Sequence, residues 1–436
     1  MKNKVNINND ILFYIVLTIL FFLCNRFLVY LYIPIVLIVL IKVFKSANNQ
    51  LFYLILFLIP NLRILDVSGS LHIINILIAI AAIVYISKKI RHFPQSIVIA
   101  SVVFLICSFS HIFYYDNIGG YIFTEINIVI DYVVFLLLVS DDDSGIEYFT
   151  SILYLSAGAI VSAVVCLLAQ PDILLQVLNV SWYRFNAYGT DPNYYAVYLL
   201  MAIVGLFREM YLSNKILKYL PIVMILMLFG FLTTSKMFIF TLAIIILVNI
   251  FLHFMKRQMK SWSFLLKIST VIIAIFFIFK DVFLTLFKRF IDRFIDDPQN
   301  NTLKGFTSGR SNIQMSYINY ISENIMLLLF GVGTEYGSYY DKLYGIFVAH
   351  NTYLDLILSF GVIGTIIIVL LTIKAIYPYI KKKNNIANKF PILIFGLVLV
   401  SLSCLTSDMF YYIFALVILP LKAKDTYLID TEKIDN

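Results

Sequence analysis

His350 and Asn351 stand side by side at the start of the apolar run HNTYLDLILSFGVIG. An imidazole titrates near neutral pH, so a histidine there can serve as a general base. The pair also reads as a plain polar cap on a helix start, and on the residues alone both uses stay open. Cations stand in other polar stretches. Arg310, in TSGRSN, is either a solvated loop residue or an anion ligand whose planar fork fits phosphate. Arg184, in YRFNAYGTDPNYYAVYLL, is free to serve the same chemistry. Lys236, in TTSKMFIF, falls at the mouth of an apolar segment, where a cation is costly enough to imply a use. Asp191-Pro192-Asn193 is a strong helix-start signal, with Asp191 at the cap and proline in the first turn, so Asp191 reads as structural.

Other polar features carry less. His72, His92, His111 and His253 stand at separate ends of apolar runs without metal-ligand spacing, and of these His111 alone falls on the side of the other polar motifs. The acidic SDDDSGIE, from Ser140 to Glu147, falls on the opposite side and reads as a solvated turn. GVGTEYG lacks the Lys-Ser/Thr pair of a nucleotide loop. The cysteines Cys24, Cys107, Cys166 and Cys404 have neither zinc nor disulfide spacing. No metal site or cofactor is expected.

The elements that must position these groups follow from composition. Hydrophobic residues make up 61% of the 436 and charged residues 13%, against about 25% charged in soluble domains. Apolar runs recur along nearly the whole chain, and stretches such as FIFTLAIIILVNIFLHF have no period of two, which excludes a barrel and predicts membrane-spanning helices. The net charge of +8 is scattered between runs, as in Lys88-Lys89, Lys256-Arg257 and Lys381-Lys382-Lys383, and does not form a nucleic-acid surface. By the positive-inside rule these connections are cytoplasmic. Segments 115–121, 170–191, 232–236 and 281–349 then lie outside and both termini inside. The expected fold is all-α, a single polytopic membrane domain over residues 1–436 with about 12–14 spans.

The segment 281–349 holds nearly all the contiguous polar sequence. Loops beyond about 12–15 residues are usually functional or disordered, and this one has the composition of folded sequence. DVFLTLFKRFIDRF predicts an interfacial helix, and Ser311–Leu329 a second amphipathic helix ended by Gly331-Val332-Gly333. A folded extracytoplasmic cap is expected.

Taken in order, the blocks RFNAYGTDPNYYAVYLL, TTSKMFIF, TSGR…GVG and HNTYLDLILSFGVIG resemble the O-antigen ligase/polymerase superfamily of bacterial envelope glycosyltransferases. The likeness runs over about residues 182–375. Lys236 departs from it, since the family more often has arginine there. The resemblance implies a GT-C-like membrane enzyme of the bacterial cytoplasmic membrane, acting at its outer face. It would take a glycan from a polyprenyl-pyrophosphate carrier and transfer it, with inversion and without a metal, to a hydroxyl of another lipid-linked repeat unit. His350 would be the catalytic base. Arg310, Arg184 and Lys236 would bind the pyrophosphate, with Asn351, Tyr353 and Asn193 positioning the substrate. A chain-length regulator and a flippase are the implied partners. Gly361 and Gly364 would let helices pack closely. A ligase, which uses an acceptor other than the carrier, is the neighbouring alternative. From a different class, a lipid-linked oligosaccharide flippase would carry its polar residues along a path through the spans. Here they gather at one face.

Overall fold

The computed structural model describes residues 7–27, 32–45, 48–64, 66–68, 71–72, 79–80, 83, 94–140, 146–179, 183–189, 191–213, 216–255, 270, 280, 284–285, 288, 310–336, 349–380, 386–402 and 410–422. The helix expected from DVFLTLFKRFIDRF, most of the acidic turn and much of the 281–349 loop lie outside these residues.

The chain is α-helical. In order, the helices are α1 (Ile7–Phe27), α2 (Tyr32–Lys45), α3 (Asn48–Leu58), α4 (Gln95–Phe109), α5 (Ile118–Ser140), α6 (Tyr148–Ala169), α7 (Ile173–Asn179), α8 (Pro192–Ser213), α9 (Ile216–Leu232), α10 (Lys236–Met255), α11 (Arg310–Glu323), α12 (Ile325–Phe330), α13 (Thr352–Ile380), α14 (Ile386–Ser401) and α15 (Phe410–Lys422). Among the described residues the strands are a short antiparallel pair, β1 (Asp66–Ser68) and β2 (Leu71–His72). Among the described residues five helices are long and apolar enough to cross a membrane, and six shorter apolar helices accompany them. Backbone polar groups cannot go unpaired in lipid, and a helix pairs them within itself. The chain is a multi-pass membrane protein.

Helix α8 is the centre of the bundle. Of its most apolar window 89% is buried, and α6, α9, α10 and α14 pack around it. It starts where Asp191-Pro192 predicts: Asp191 Oδ1 accepts from the Asn193 N–H at 2.6 Å, and the Asp191 carbonyl accepts from Tyr195 N–H at 3.0 Å. At its other end Arg208 is buried, both Nε and Nη2 donate to Asn388 Oδ1, and its guanidinium lies over the Tyr148 ring. This ties α6, α8 and α14 together, and a buried guanidinium needs such partners.

Helix α13 is broken. Gly361 has φ +66 and ψ 177 inside it, so its nine residues up to Phe360 form a half-helix and the rest a separate span. The break leaves carbonyls without helical donors. The Gly-Val-Gly segment supplies two: Val332 N–H donates to Leu358 O at 2.9 Å and Gly333 N–H to Ser359 O at 2.8 Å. Both glycines at this crossing are required. A Cβ on Gly361 would sit 2.2 Å from Leu329 O, and one on Gly331 would sit 2.5 Å from Gly361 N. Close packing was expected of Gly361. The chain reversal it makes possible was not.

The single amphipathic helix expected over Ser311–Leu329 is two helices, α11 and α12. Asn324 breaks it, adopting φ −120 and ψ 81 while its side-chain amide donates to Tyr320 O at 2.9 Å. An asparagine competes with the helix for its own backbone in this way. Gly331 ends α12 as expected, at φ +75. Residues Tyr317, Ile321, Val332, Tyr336, Ala349, Leu354 and Leu358 form a small core separate from that of the bundle. It seats α11, α12 and Gly-Val-Gly on the half-helix that His350 precedes.

Candidate functional site

The polar residues singled out in the sequence collect at helix mouths, in two groups. Lys236 is the first residue of α10, directly after Ser235, whose Oγ receives the Phe238 N–H at 3.4 Å. The positive end of a helix dipole disfavours a cation, so Lys236 stands there against the helix's own preference. Arg184 lies in the loop leading to α8. Its Nη2 donates to Asn193 Oδ1 at 2.7 Å and its Nε to Thr233 O at 3.1 Å. Ser235 Oγ donates to the same Asn193 oxygen at 3.0 Å. Asn193 is therefore committed to fixing Arg184 against the Thr233–Ser235 turn, and it is buried. Loop and turn are further joined by Phe185 N–H to Leu232 O at 3.2 Å.

The second group surrounds His350. Arg310 opens the described part of the cap helix α11. His350 and Asn351 lead into α13, where Asn351 Oδ1 accepts from Tyr353 N–H at 3.0 Å and Leu354 N–H at 3.2 Å. Asn351 is thus a helix cap, the plainer of the readings open to it from sequence. Tyr353, on the first turn, is 52% exposed. His350 is partly buried, and the charges of both Arg310 and Asp191 act on it. Burial chiefly, then the Arg310 charge, push its pKa below the usual imidazole value, while Asp191 pulls it back up. Asp191 is thereby more than the helix cap read from the sequence, since its charge also acts on the histidine.

Backbone strain falls on these same loops. Among the described residues the non-glycine positions with positive φ are Ala187 at 50°, Thr234 at 47° and His350 at 53°. One lies in the Arg184 loop, one beside Lys236, and one is the histidine itself. Left-handed backbone is unfavourable for any residue with a Cβ and more so for a branched one. Such residues persist where surroundings over-determine them, and they concentrate at functional sites.

His111, which the sequence put on the side of the other polar motifs, is placed elsewhere. Its Nε2 lies 3.0 Å from Phe330 O and its Nδ1 3.0 Å from Ser110 Oγ, so it braces the cap against α4. Sequence reading passed over several residues that brace the same segment. Tyr115 Oη donates to Val332 O at 2.7 Å, Thr124 Oγ1 to Glu335 Oε1 at 2.7 Å, and Thr334 Oγ1 to the fully buried Glu125. A lone glutamate in an apolar run was the available signal.

Spanning helices, a broken helix and a polar face at the helix mouths define an all-α polytopic membrane protein with its candidate site at one end of the bundle. Residues 221–369 match the family model described as O-antigen ligase, and this match supports the resemblance to the O-antigen ligase/polymerase superfamily. The matched stretch carries Lys236, Arg310, Gly331, His350, Asn351 and Gly361, while Arg184, Asp191 and Asn193 lie before it. No curated protein and no solved structure matches the chain.

Proposed function

We propose that the chain is a glycosyltransferase of the bacterial cytoplasmic membrane that acts at the outer face. It moves a glycan from polyprenyl pyrophosphate to a hydroxyl of a second lipid-linked repeat unit. The acceptor oxygen attacks the anomeric carbon as the bond from that carbon to the pyrophosphate oxygen breaks. His350 takes the hydroxyl proton. Arg310, Lys236 and Arg184 face the charge that builds on the departing pyrophosphate, the kind of electrostatic stabilisation that usually dominates catalysis, without a metal ion. One direct displacement inverts the anomeric centre. The observation that carries this reading is the placement of His350, which lies at the start of a half-helix, in left-handed backbone, under the charges of both Arg310 and Asp191. Burial chiefly, with the Arg310 charge beside it, favours the neutral imidazole, and a base must start in that form.

A second reading, transfer to an acceptor other than the carrier, is favoured by the description of the matching family model as a ligase. The lipid-linked glycans of a strain lacking the gene separate these readings. Loss of a polymerase leaves single repeat units on the outer-leaflet carrier. Loss of a ligase leaves long chains on the carrier with none on the final acceptor. Units trapped on the inner leaflet would indicate a flippase and sink both.

The pH dependence has a definite sign. With His350 as base, the rate rises with pH as the imidazole loses its proton, then levels off. Because its pKa is lowered, the acid limb should fall below pH of about 6.5. Asp191→Asn keeps an equally good helix cap and removes the charge that holds the pKa up. The limb should therefore move to still lower pH, with folding unchanged. A limb that stays in place, or moves up, in a pH–rate profile of this variant would show that Asp191 does not act on the base.

A further inference from the structure

The backbone of the residue before His350 is held on both sides. The Ala349 N–H donates to Tyr336 Oη at 3.1 Å, and the Ala349 carbonyl accepts from Gln314 Nε2 at 3.2 Å. Tyr336 Oη itself donates to Asp355 Oδ1, in the first turn of α13. Ala349, Tyr336 and Asp355 are all buried. Gln314 stands one turn along α11 from Arg310, so the helix that presents the arginine also grips the peptide that presents the histidine. One residue thus joins three pieces: the Arg310 helix, the segment after Gly-Val-Gly, and the half-helix. The backbone immediately beyond it is the left-handed His350. A residue with a Cβ leaves that conformation unless its neighbours hold it.

We propose that Tyr336 and Gln314 are positioning residues, clamping the Ala349 peptide so that the His350 imidazole stays in register with Arg310. This rests on His350 being the base. The clamp is distinct from the packing of these side chains. The Tyr336 ring meets Tyr317 edge-on at 5.7 Å, a contact that phenylalanine keeps, so the hydroxyl alone carries the proposed role.

The test must separate a misplaced base from a weakened fold. Tyr336→Phe alone also strips the hydrogen bond from the buried Asp355, which destabilises for an unrelated reason. The pair Tyr336→Phe with Asp355→Leu replaces both partners of that bond by apolar groups, which is milder than stranding the carboxylate, and still deprives the Ala349 N–H of its acceptor. Gln314→Leu releases the carbonyl without disturbing a buried carboxylate, so it decides the question even where the double variant fails to fold. Purified variants are assayed with lipid-linked glycans extracted from the strain lacking the gene, following chain growth and the unfolding midpoint.

Small misplacements of reacting groups cost up to about a hundredfold in rate. Both variants should therefore lose roughly ten- to a hundredfold in kcat with KM near wild type, and in Gln314→Leu the midpoint should stay near wild type too. Wild-type kcat in Gln314→Leu or in a folded double variant, or a loss confined to KM, overturns the clamp. His350→Ala on the same glycans is the control. If it is active, the base assignment itself fails. If it is inactive while Gln314→Leu runs at full rate, only the clamp fails.

Discussion

His350→Ala should lower glycan transfer by about 10²–10⁴-fold, the usual cost of losing a general base, while the protein still inserts and folds. The histidine is partly buried at the start of a half-helix whose first turn is capped by Asn351, not by the imidazole. Its removal therefore takes no hydrogen bond from the cap. In cells, flipping of repeat units would continue, so single units should accumulate on the outer-leaflet carrier, as expected of a strain lacking the gene, and surface glycan should shrink to one unit. Normal long polymer in the His350→Ala strain, at matched protein level, would remove the histidine from the mechanism.

Arg310→Ala is expected to cost roughly ten- to a hundredfold in rate. A charge-assisted hydrogen bond contributes about 1.5–3 kcal/mol, and each 1.4 kcal/mol or so is tenfold. Arg310→Lys should recover only part of the loss, because an ammonium cannot reproduce the two-pronged grip of a guanidinium on phosphate. The substitutions also separate binding from base tuning. Lysine keeps the positive charge that helps lower the His350 pKa, so its acid limb should stay in place, whereas alanine should shift the limb to higher pH. Lys236→Arg should be tolerated, since arginine keeps the positive charge at that helix mouth. Wild-type polymer from Arg310→Ala at matched expression would show that the arginine does not meet pyrophosphate.

Much of the architecture was legible because membrane burial imposes a simple rule on composition. Runs such as Lys236–Met255 and Pro192–Ser213 are helices that begin where their polar mouths predict. The break in α13 was not legible. Gly361 in an apolar run looks like a packing residue, and nothing local tells that a second glycine, Gly331, will meet it backbone to backbone. The break at Asn324 was missed because the periodicity of the flanking residues outweighs one asparagine.

At the site, residue type and position picked out His350, Arg310, Arg184 and Lys236, since charged or titratable groups at helix mouths are expensive and stand out. What the sequence concealed is how their neighbours are used. Asn193 and Asn351 looked like substrate contacts, yet their side-chain oxygens hold protein groups. Asp191 looked like a cap alone, yet its charge reaches the histidine. Tyr336, Gln314 and Glu125 are ordinary residues until the fold sets them against a particular peptide, hydroxyl or loop.

Each new glycosidic bond made by direct displacement must free one polyprenyl pyrophosphate. Purified protein incubated with the lipid-linked glycans extracted from the deletion strain should release polyprenyl pyrophosphate and lengthen the glycan in equal amounts, and His350→Ala should do neither. Chain growth without pyrophosphate release, or release at the wild-type rate by His350→Ala, would contradict the account.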